Sequence, residues 1–294
     1  MPQTWLRVTA TSPSAELTGL LAEGLLACGG SAVEEKGDVV VTYIADDDGN
    51  DDVDTDRAAQ LRHQLHAILG FEPLQLEVER VPEQDWLALW RAGLEPRHIG
   101  ERIIVSPTWS EVSPGPGQLL IRIDPQMAFG TGEHASTRGV LRLMQRVVRD
   151  GDRLIDVGSG SAILAIAAAR LGASHVFAVE SDPDAQENAG ENVAQNEVAD
   201  RVTLLYDLVD NAFLAGYGGG AFDGILANVL SGVLRPLLPA FHRALAEGGW
   251  AILSGILVEE APLMREAADA AGFTVEAEDV EEQWWSVLLR RAGP

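Results

Sequence analysis

The chain has 294 residues, 46% of them hydrophobic, and carries a formal net charge of −24. This length suits one large α/β domain or a small domain followed by a medium one, and the composition excludes wholesale disorder and a membrane protein. With 45 acidic residues against 21 basic ones, no cation surplus is available to neutralise phosphates, so direct nucleic-acid binding is not expected.

Residues 1–80 read as a compact α/β unit. Trp5–Ala10 alternates like a strand, Ser14–Ala27 has helical apolar spacing, and Ser31–Glu35 with Asp38–Ile44 forms a hairpin around Lys36-Gly37. Cys28, the one cysteine, excludes an intrachain disulfide and a thiolate metal cluster. No basic-then-apolar leader begins the chain, and the expected location is the cytoplasm. Seven aspartates between Asp46 and Asp56 lack the glycine and closing glutamate of a calcium loop, and read as a solvated loop. A helix, Arg57–Leu69, and a strand, Glu72–Arg80, complete the order β-α-β-β-α-β of a ferredoxin-like sandwich. This unit holds 15 acidic and 5 basic residues and no catalytic motif, which suits a docking module better than a reaction site. Residues 81–100, with Pro82, Pro96 and Gly100 around the amphipathic stretch Gln84–Arg91, read as a linker with one helix on which Trp86 and Trp90 share a face.

Residues 101–294 read as a second domain. The segment Asp124–Thr137 contains Phe129-Gly130-Thr131-Gly132-Glu133-His134 just before a helix, a lid-like turn. Glu133-His134 does not make a zinc pair, since no second histidine follows four residues on. Strands at Arg153–Val157, His175–Glu180, Val202–Tyr206, Phe222–Ala227 and Trp250–Ser254 alternate with helices at Ser161–Leu171, Pro183–Gln195, Gly232–Ala246 and Glu259–Ala271. A hairpin of Thr274–Ala277 and Trp284–Arg290 closes the pattern. The fold class is therefore α/β, a doubly wound Rossmann-like sheet binding its ligand at the carboxyl ends of the strands, behind a ferredoxin-like α+β domain.

The chemistry concentrates where the first of these strands runs into Asp156-Val157-Gly158-Ser159-Gly160-Ser161. Gly158 and Gly160 let backbone approach a ligand, and the helix start presents free N–H groups. Such a turn can hold a dinucleotide pyrophosphate or the carboxylate end of a smaller cofactor. Ile163 stands where the dinucleotide fingerprint has its third glycine, and Asp156 would repel a pyrophosphate yet pair with an α-amino group. S-adenosylmethionine meets both conditions. Glu180 closes the next strand, 22 residues after Gly158, where an acid accepts ribose hydroxyls. Asp182 reads as a helix cap. Asn228 ends an apolar strand at the ligand edge, and its side-chain carbonyl can orient an amine by accepting its N–H.

These motifs together resemble the ribosomal protein L11 methyltransferase (PrmA) family. The Phe129–His134 loop ending in Thr137, the Asp156-x-Gly158-x-Gly160 turn, Glu180, Ala227-Asn228 and Ser254-Gly255-Ile256-Leu257 carry the likeness over essentially the whole length. The resemblance implies a class I S-adenosylmethionine-dependent protein-lysine N-methyltransferase. Its substrate would be ribosomal protein L11, modified on lysine side chains and the N-terminal amine and gripped by the N-terminal domain. It further implies that Thr137, Gly158, Glu180 and Asn228 contact the cofactor, with Asn228 near the amine, while Phe129 and the turn containing Thr131 line the methyl-transfer pocket. A methyltransferase acting on another protein or a small molecule is the alternative. The chain departs from the family's usual pattern at Ala162 (glycine), Glu180 (aspartate), Glu133 and Ala135. No membrane partner or metal is expected, and nothing in the sequence demands more than a monomer.

Overall fold

The computed structural model describes residues 4–14, 17–46, 54–81, 95–124, 130 and 132–293. They fall into two compact units, Met1–Gly93 and Leu94–Pro294. In the first, β1 (Thr4–Thr11), α1 (Thr18–Ala27), β2 (Gly30–Lys36), β3 (Val39–Asp46), α2 (Asp54–Leu69) and β4 (Gln75–Val81) follow in order. The sheet runs β2-β3-β1-β4, all antiparallel, which is the ferredoxin-like arrangement. Period-two spacing on β1 (Leu6, Val8, Ala10) meets period-four spacing on α1 (Leu21, Leu25) and α2 (Leu61, Leu65) in one buried cluster. The helix expected from Ser14 begins at Thr18. Most of the aspartate run and the expected helix Gln84–Arg91, with Trp86 and Trp90, lie outside the described residues.

The second unit opens with β5 (Arg97–Ile99), β6 (Ile103–Ser106) and β7 (Leu119–Arg122), a small sheet in the order β5-β6-β7 that the sequence pattern does not foretell. The main elements are α3 (Ala135–Val147), β8 (Arg153–Val157), α4 (Ile163–Leu171), β9 (His175–Glu180), α5 (Pro183–Gln195), β10 (Val202–Tyr206) and α6 (Asn211–Gly216). They continue through β11 (Phe222–Asn228), α7 (Ser231–Ala244), β12 (Leu245–Leu257), α8 (Ala261–Ala270), β13 (Phe273–Glu281) and β14 (Trp284–Arg291). The short α6 is likewise unexpected from sequence; Asp210 caps it, accepting from Phe213 N at 2.7 Å.

Seven strands order as β10-β9-β8-β11-β12-β14-β13. The first five are parallel, and β14 inserts antiparallel between β12 and β13. Because strand side chains alternate, each strand feeds two cores. Leu154, Leu226, Ile252 and Leu288 pack with Val140, Met144 and Ile166 on one face. Ile155, Ile225, Leu253 and Val287 pack with Leu234, Phe241 and Met264 on the other. The chain leaves β8 toward β9 on one side and returns as β11 on the other, and that reversal opens a crevice at the strand ends. α3 lies tight against the β13–β14 hairpin at Gly139, where a Cβ would stand 2.2 Å from Ser286 Oγ. No helix among the described residues is long and apolar enough to cross a membrane.

Candidate cofactor and amine site

The crevice holds a cavity of about 490 Å³, and its floor is the turn after β8. Gly158 and Ser159 donate to Val179 O at 2.9 and 3.1 Å, tying the turn to β9. Gly158 is left-handed (φ 68°), and a Cβ there would meet Val229 Cγ1 at 2.6 Å, so the turn needs glycine twice over. Ala162, at the start of α4, is also left-handed, with φ 64°. An L-residue pays roughly 1–2 kcal/mol for that conformation, and a glycine would not.

Asp156 requires a correction to the sequence reading. It shares the sheet face of Leu154, so its side chain points toward α4, and it is fully buried. Its Oδ2 accepts from Ala165 N at 3.1 Å, and Asp156 is not among the residues lining the cavity. Burial pushes its carboxyl up to about 7, against the Ala165 hydrogen bond and with help from the Glu180 charge. Asp156 thus braces the turn from behind.

The carboxylate on the cavity side is Glu180, which lines it. Its Oε2 accepts from Gly160 N at 2.9 Å, and its Oε1 accepts from Ser181 N at 2.7 Å and Asp182 N at 3.0 Å. One negative charge therefore already occupies Gly160 N, a turn donor that a pyrophosphate would need. Asp207, following β10, is a second lining carboxylate, and no lysine or arginine lines the cavity among the described residues. Such walls suit a cationic nucleoside and oppose a phosphate.

Asn228 ends β11 in register with Ser254 of β12. Its Nδ2 donates to Thr137 Oγ1 at 3.2 Å, and Thr137 is itself buried on α3. That contact leaves Asn228 Oδ1 buried with no partner among the described residues, and Ser159 Oγ shares this condition. Both residues line the cavity. A buried acceptor without a donor costs about 1–3 kcal/mol, and a ligand N–H would relieve it.

The remaining wall combines His134 and Trp284, whose rings meet edge-on with centroids 4.7 Å apart. His134 caps α3, its Nδ1 standing 2.7 Å from Ser136 Oγ. Burial, and then the Arg138 guanidinium, push its imidazole below the ordinary value. No group of three or more potential metal ligands gathers among the described residues.

The structure thus brings Thr137, Gly158, Gly160, Glu180 and Asn228 together on one cavity. Phe129 and Thr131 lie outside the described residues; Gly130 between them does line the cavity. The sequence reading missed Asp207, Leu208 and Trp284. Asp207 and Leu208 had a signal available, since they follow a parallel strand at the ligand edge. Trp284 had none, because it arrives from a hairpin some 120 residues beyond the turn it faces.

Comparison with known proteins agrees with this geometry. A family profile described as Ribosomal protein L11 methyltransferase (PrmA) matches residues 30–292. A ribosomal protein L11 methyltransferase of Geobacter metallireducens is 37% identical over 311 residues, covering 100% of both chains. One of Pelotomaculum thermopropionicum is 38% identical over 240 residues, covering 82% of this chain and 76% of its own. The crystal structure of a ribosomal protein L11 methylase from Lactobacillus delbrueckii subsp. bulgaricus superposes with a TM-score of 0.60 at 30% identity, covering 67% of this chain and 99% of that one.

Proposed function

We propose, for a chain that belongs to the ribosomal protein L11 methyltransferase (PrmA) family, that its cavity holds S-adenosylmethionine and directs the methyl group to amines of ribosomal protein L11. The enzyme is a protein methyltransferase; the acceptors we assign are lysine side chains and the N-terminal amine. The observation that supports this most is Asn228, which lines the cavity and whose buried carbonyl oxygen has no donor among the described residues.

S-adenosylmethionine, when bound, supplies an electrophilic methyl carbon on a sulfonium. Glu180 would hold the ribose hydroxyls through lone pairs that its three backbone donors leave over. The Gly158–Gly160 turn would receive the amino-acid end, and Leu208, which also lines the cavity, would receive the base. Thr137 fixes the Asn228 amide, and the Asn228 carbonyl would accept one N–H of an incoming amine and so orient its lone pair for methyl transfer. A free lysine has pKa about 10.4 and must lose a proton before it attacks. Burial within these apolar walls and the neighbouring sulfonium favour the neutral amine. Alignment then supplies most of the rate, a term of roughly 7–11 kcal/mol in well-oriented systems, and no covalent intermediate is required.

The acidic first unit is assigned to gripping L11, a role its charge suits for a basic protein surface. The decisive experiment incubates the protein with labelled cofactor and recombinant L11 and maps the product by mass spectrometry. Label on lysine side chains and the N-terminal amine is expected; an unmodified L11 would overturn the assignment. Removing residues 1–80 should abolish transfer to L11, and undiminished transfer would remove the gripping role.

A further inference from the structure

The wall carrying Gly130, Gly132, Glu133 and His134 is held at both ends, and one of its anchors has no counterpart in the motifs described above. Gly130 and Gly132 are both left-handed, with φ 104° and 84°. Glycine in that region has many backbone paths open to it, so the wall's position depends on what pins it. At its start, Ser161 Oγ donates to Gly130 O at 2.6 Å, joining the wall to the cofactor turn. At its end stands Glu133. The Glu133 carboxylate is gripped by Arg97 of β5 in a two-pronged fork, Nε to Oε1 and Nη2 to Oε2, each 2.5 Å. Its backbone carbonyl accepts from Arg138 Nη1. Arg138 continues to Glu281 at 2.6 Å, and Arg142 to Asp279 and Glu281 at 2.5 and 2.6 Å. A ladder of charge thus runs from the small sheet, through the cavity wall, along α3 and onto the β13–β14 hairpin that carries Trp284.

The Arg97 end of this ladder is half exposed, so as an ion pair it contributes little to stability. Its geometry is better suited to direction, because a bidentate guanidinium–carboxylate fork fixes both distance and angle. The residue it fixes is the neighbour of His134, which caps α3 three residues before Thr137, and Thr137 holds Asn228.

We propose that Arg97 is a positioning residue for methyl transfer: through its fork to Glu133 it sets the wall at Gly132, Glu133 and His134 and the head of α3, and so the place where the amine meets Asn228. This rests on the methyl-transfer reading above. The test compares R97A, E133A, their double variant, R97E and the charge-swapped R97E/E133R. It uses single-turnover transfer to L11, titration with S-adenosylhomocysteine, and hydrogen exchange of the 132–138 amides, which needs no substrate. Each single variant should slow transfer by about tenfold with S-adenosylhomocysteine affinity unchanged within about twofold, as expected for misalignment. The double variant should cost no more than either single one, the swap should recover most of the rate lost in R97E, and exchange should quicken in R97A and slow again in the swap. A double variant costing the product of the single losses, an R97A rate equal to wild type, or unchanged exchange in R97A would overturn the proposal. A wild-type protein that binds S-adenosylhomocysteine yet leaves L11 unmodified would strike the substrate reading, and exchange alone would then decide the role of Arg97.

Discussion

The seven-stranded sheet has a cavity at each end, and they differ in a way that separates a site from a crevice. The one at the carboxyl ends of the strands is about 490 Å³, lined mostly by glycine, small polar and apolar residues. The other, about 220 Å³ at the opposite ends, is lined by Arg149, Asp152, Asp223, Glu247 and Arg290 among others. By charge alone the smaller cavity would pass for the reactive one. Its charges, however, are spent on the protein: Asp152 accepts from Arg149 N at 2.9 Å, Asp223 from Arg153 N at 2.8 Å, and Arg290 donates to Glu276 and to Gly248 O at 2.6 and 2.9 Å. In the larger cavity Asn228 Oδ1 and Ser159 Oγ lack partners among the described residues, and so does Asp156 Oδ1 just behind it. What distinguishes the functional end is unmet hydrogen-bonding capacity.

The largest test of that contrast is the buried carboxyl behind the larger cavity. In the folded protein Asp156 takes up its proton near pH 7, whereas an exposed aspartate does so near 3.9. Between those values the native state binds the extra proton, so this group's contribution is present at low pH and lost as pH rises through 7. Denaturant unfolding of the ligand-free protein at pH 5 and 8 should show an Asp156-dependent loss of about 3 kcal/mol. In Asp156→Asn that component should vanish, and an unchanged slope would place the proton elsewhere. Next comes Asn228→Ala, which should lower kcat roughly a hundredfold through misalignment while leaving S-adenosylhomocysteine affinity within a few fold. Equal losses in both would make Asn228 a binding residue only. A smaller effect is expected at the strained turn residue. Ala162→Gly relieves a left-handed alanine but gives up a buried methyl and gains chain entropy, for a net change within about 1 kcal/mol. The same substitution at Ala168, inside α4, should cost clearly more, and equal costs would deny the strain. At the other end of the sheet, Asp223→Ala should leave S-adenosylhomocysteine affinity and kcat unaltered; a change in either would break the contrast between the cavities.

Much of this was legible in the sequence, and the reason is locality. Gly158, Gly160 and Glu180 announce themselves because strand, turn and helix follow one another within some 25 residues, and Asn228 because a polar residue closes an apolar strand. The direction of Asp156 was legible too, had the alternation of β8 been pressed: Leu154 and Asp156 share one face, Ile155 and Val157 the other. What could not be read depends on tertiary pairing. The His134–Trp284 contact and the Arg97–Glu133 fork join residues 150 and 36 positions apart, and no spacing rule connects them. β5, β6 and β7 escaped because runs of three or four residues are too short for any period to declare itself.

Gly139 sets how closely α3 can lie on the hairpin. A single added carbon would sit 2.2 Å from Ser286 Oγ and 3.3 Å from Asp279 Oδ1, acting as a shim beneath the helix. Lifting α3 there would tilt Thr137 away from Asn228 and stretch the Arg142–Asp279 rung together, damaging catalysis without touching any catalytic group. Positions 139 and 286 are therefore free to drift only as a pair, a bulkier residue at one demanding a smaller one at the other.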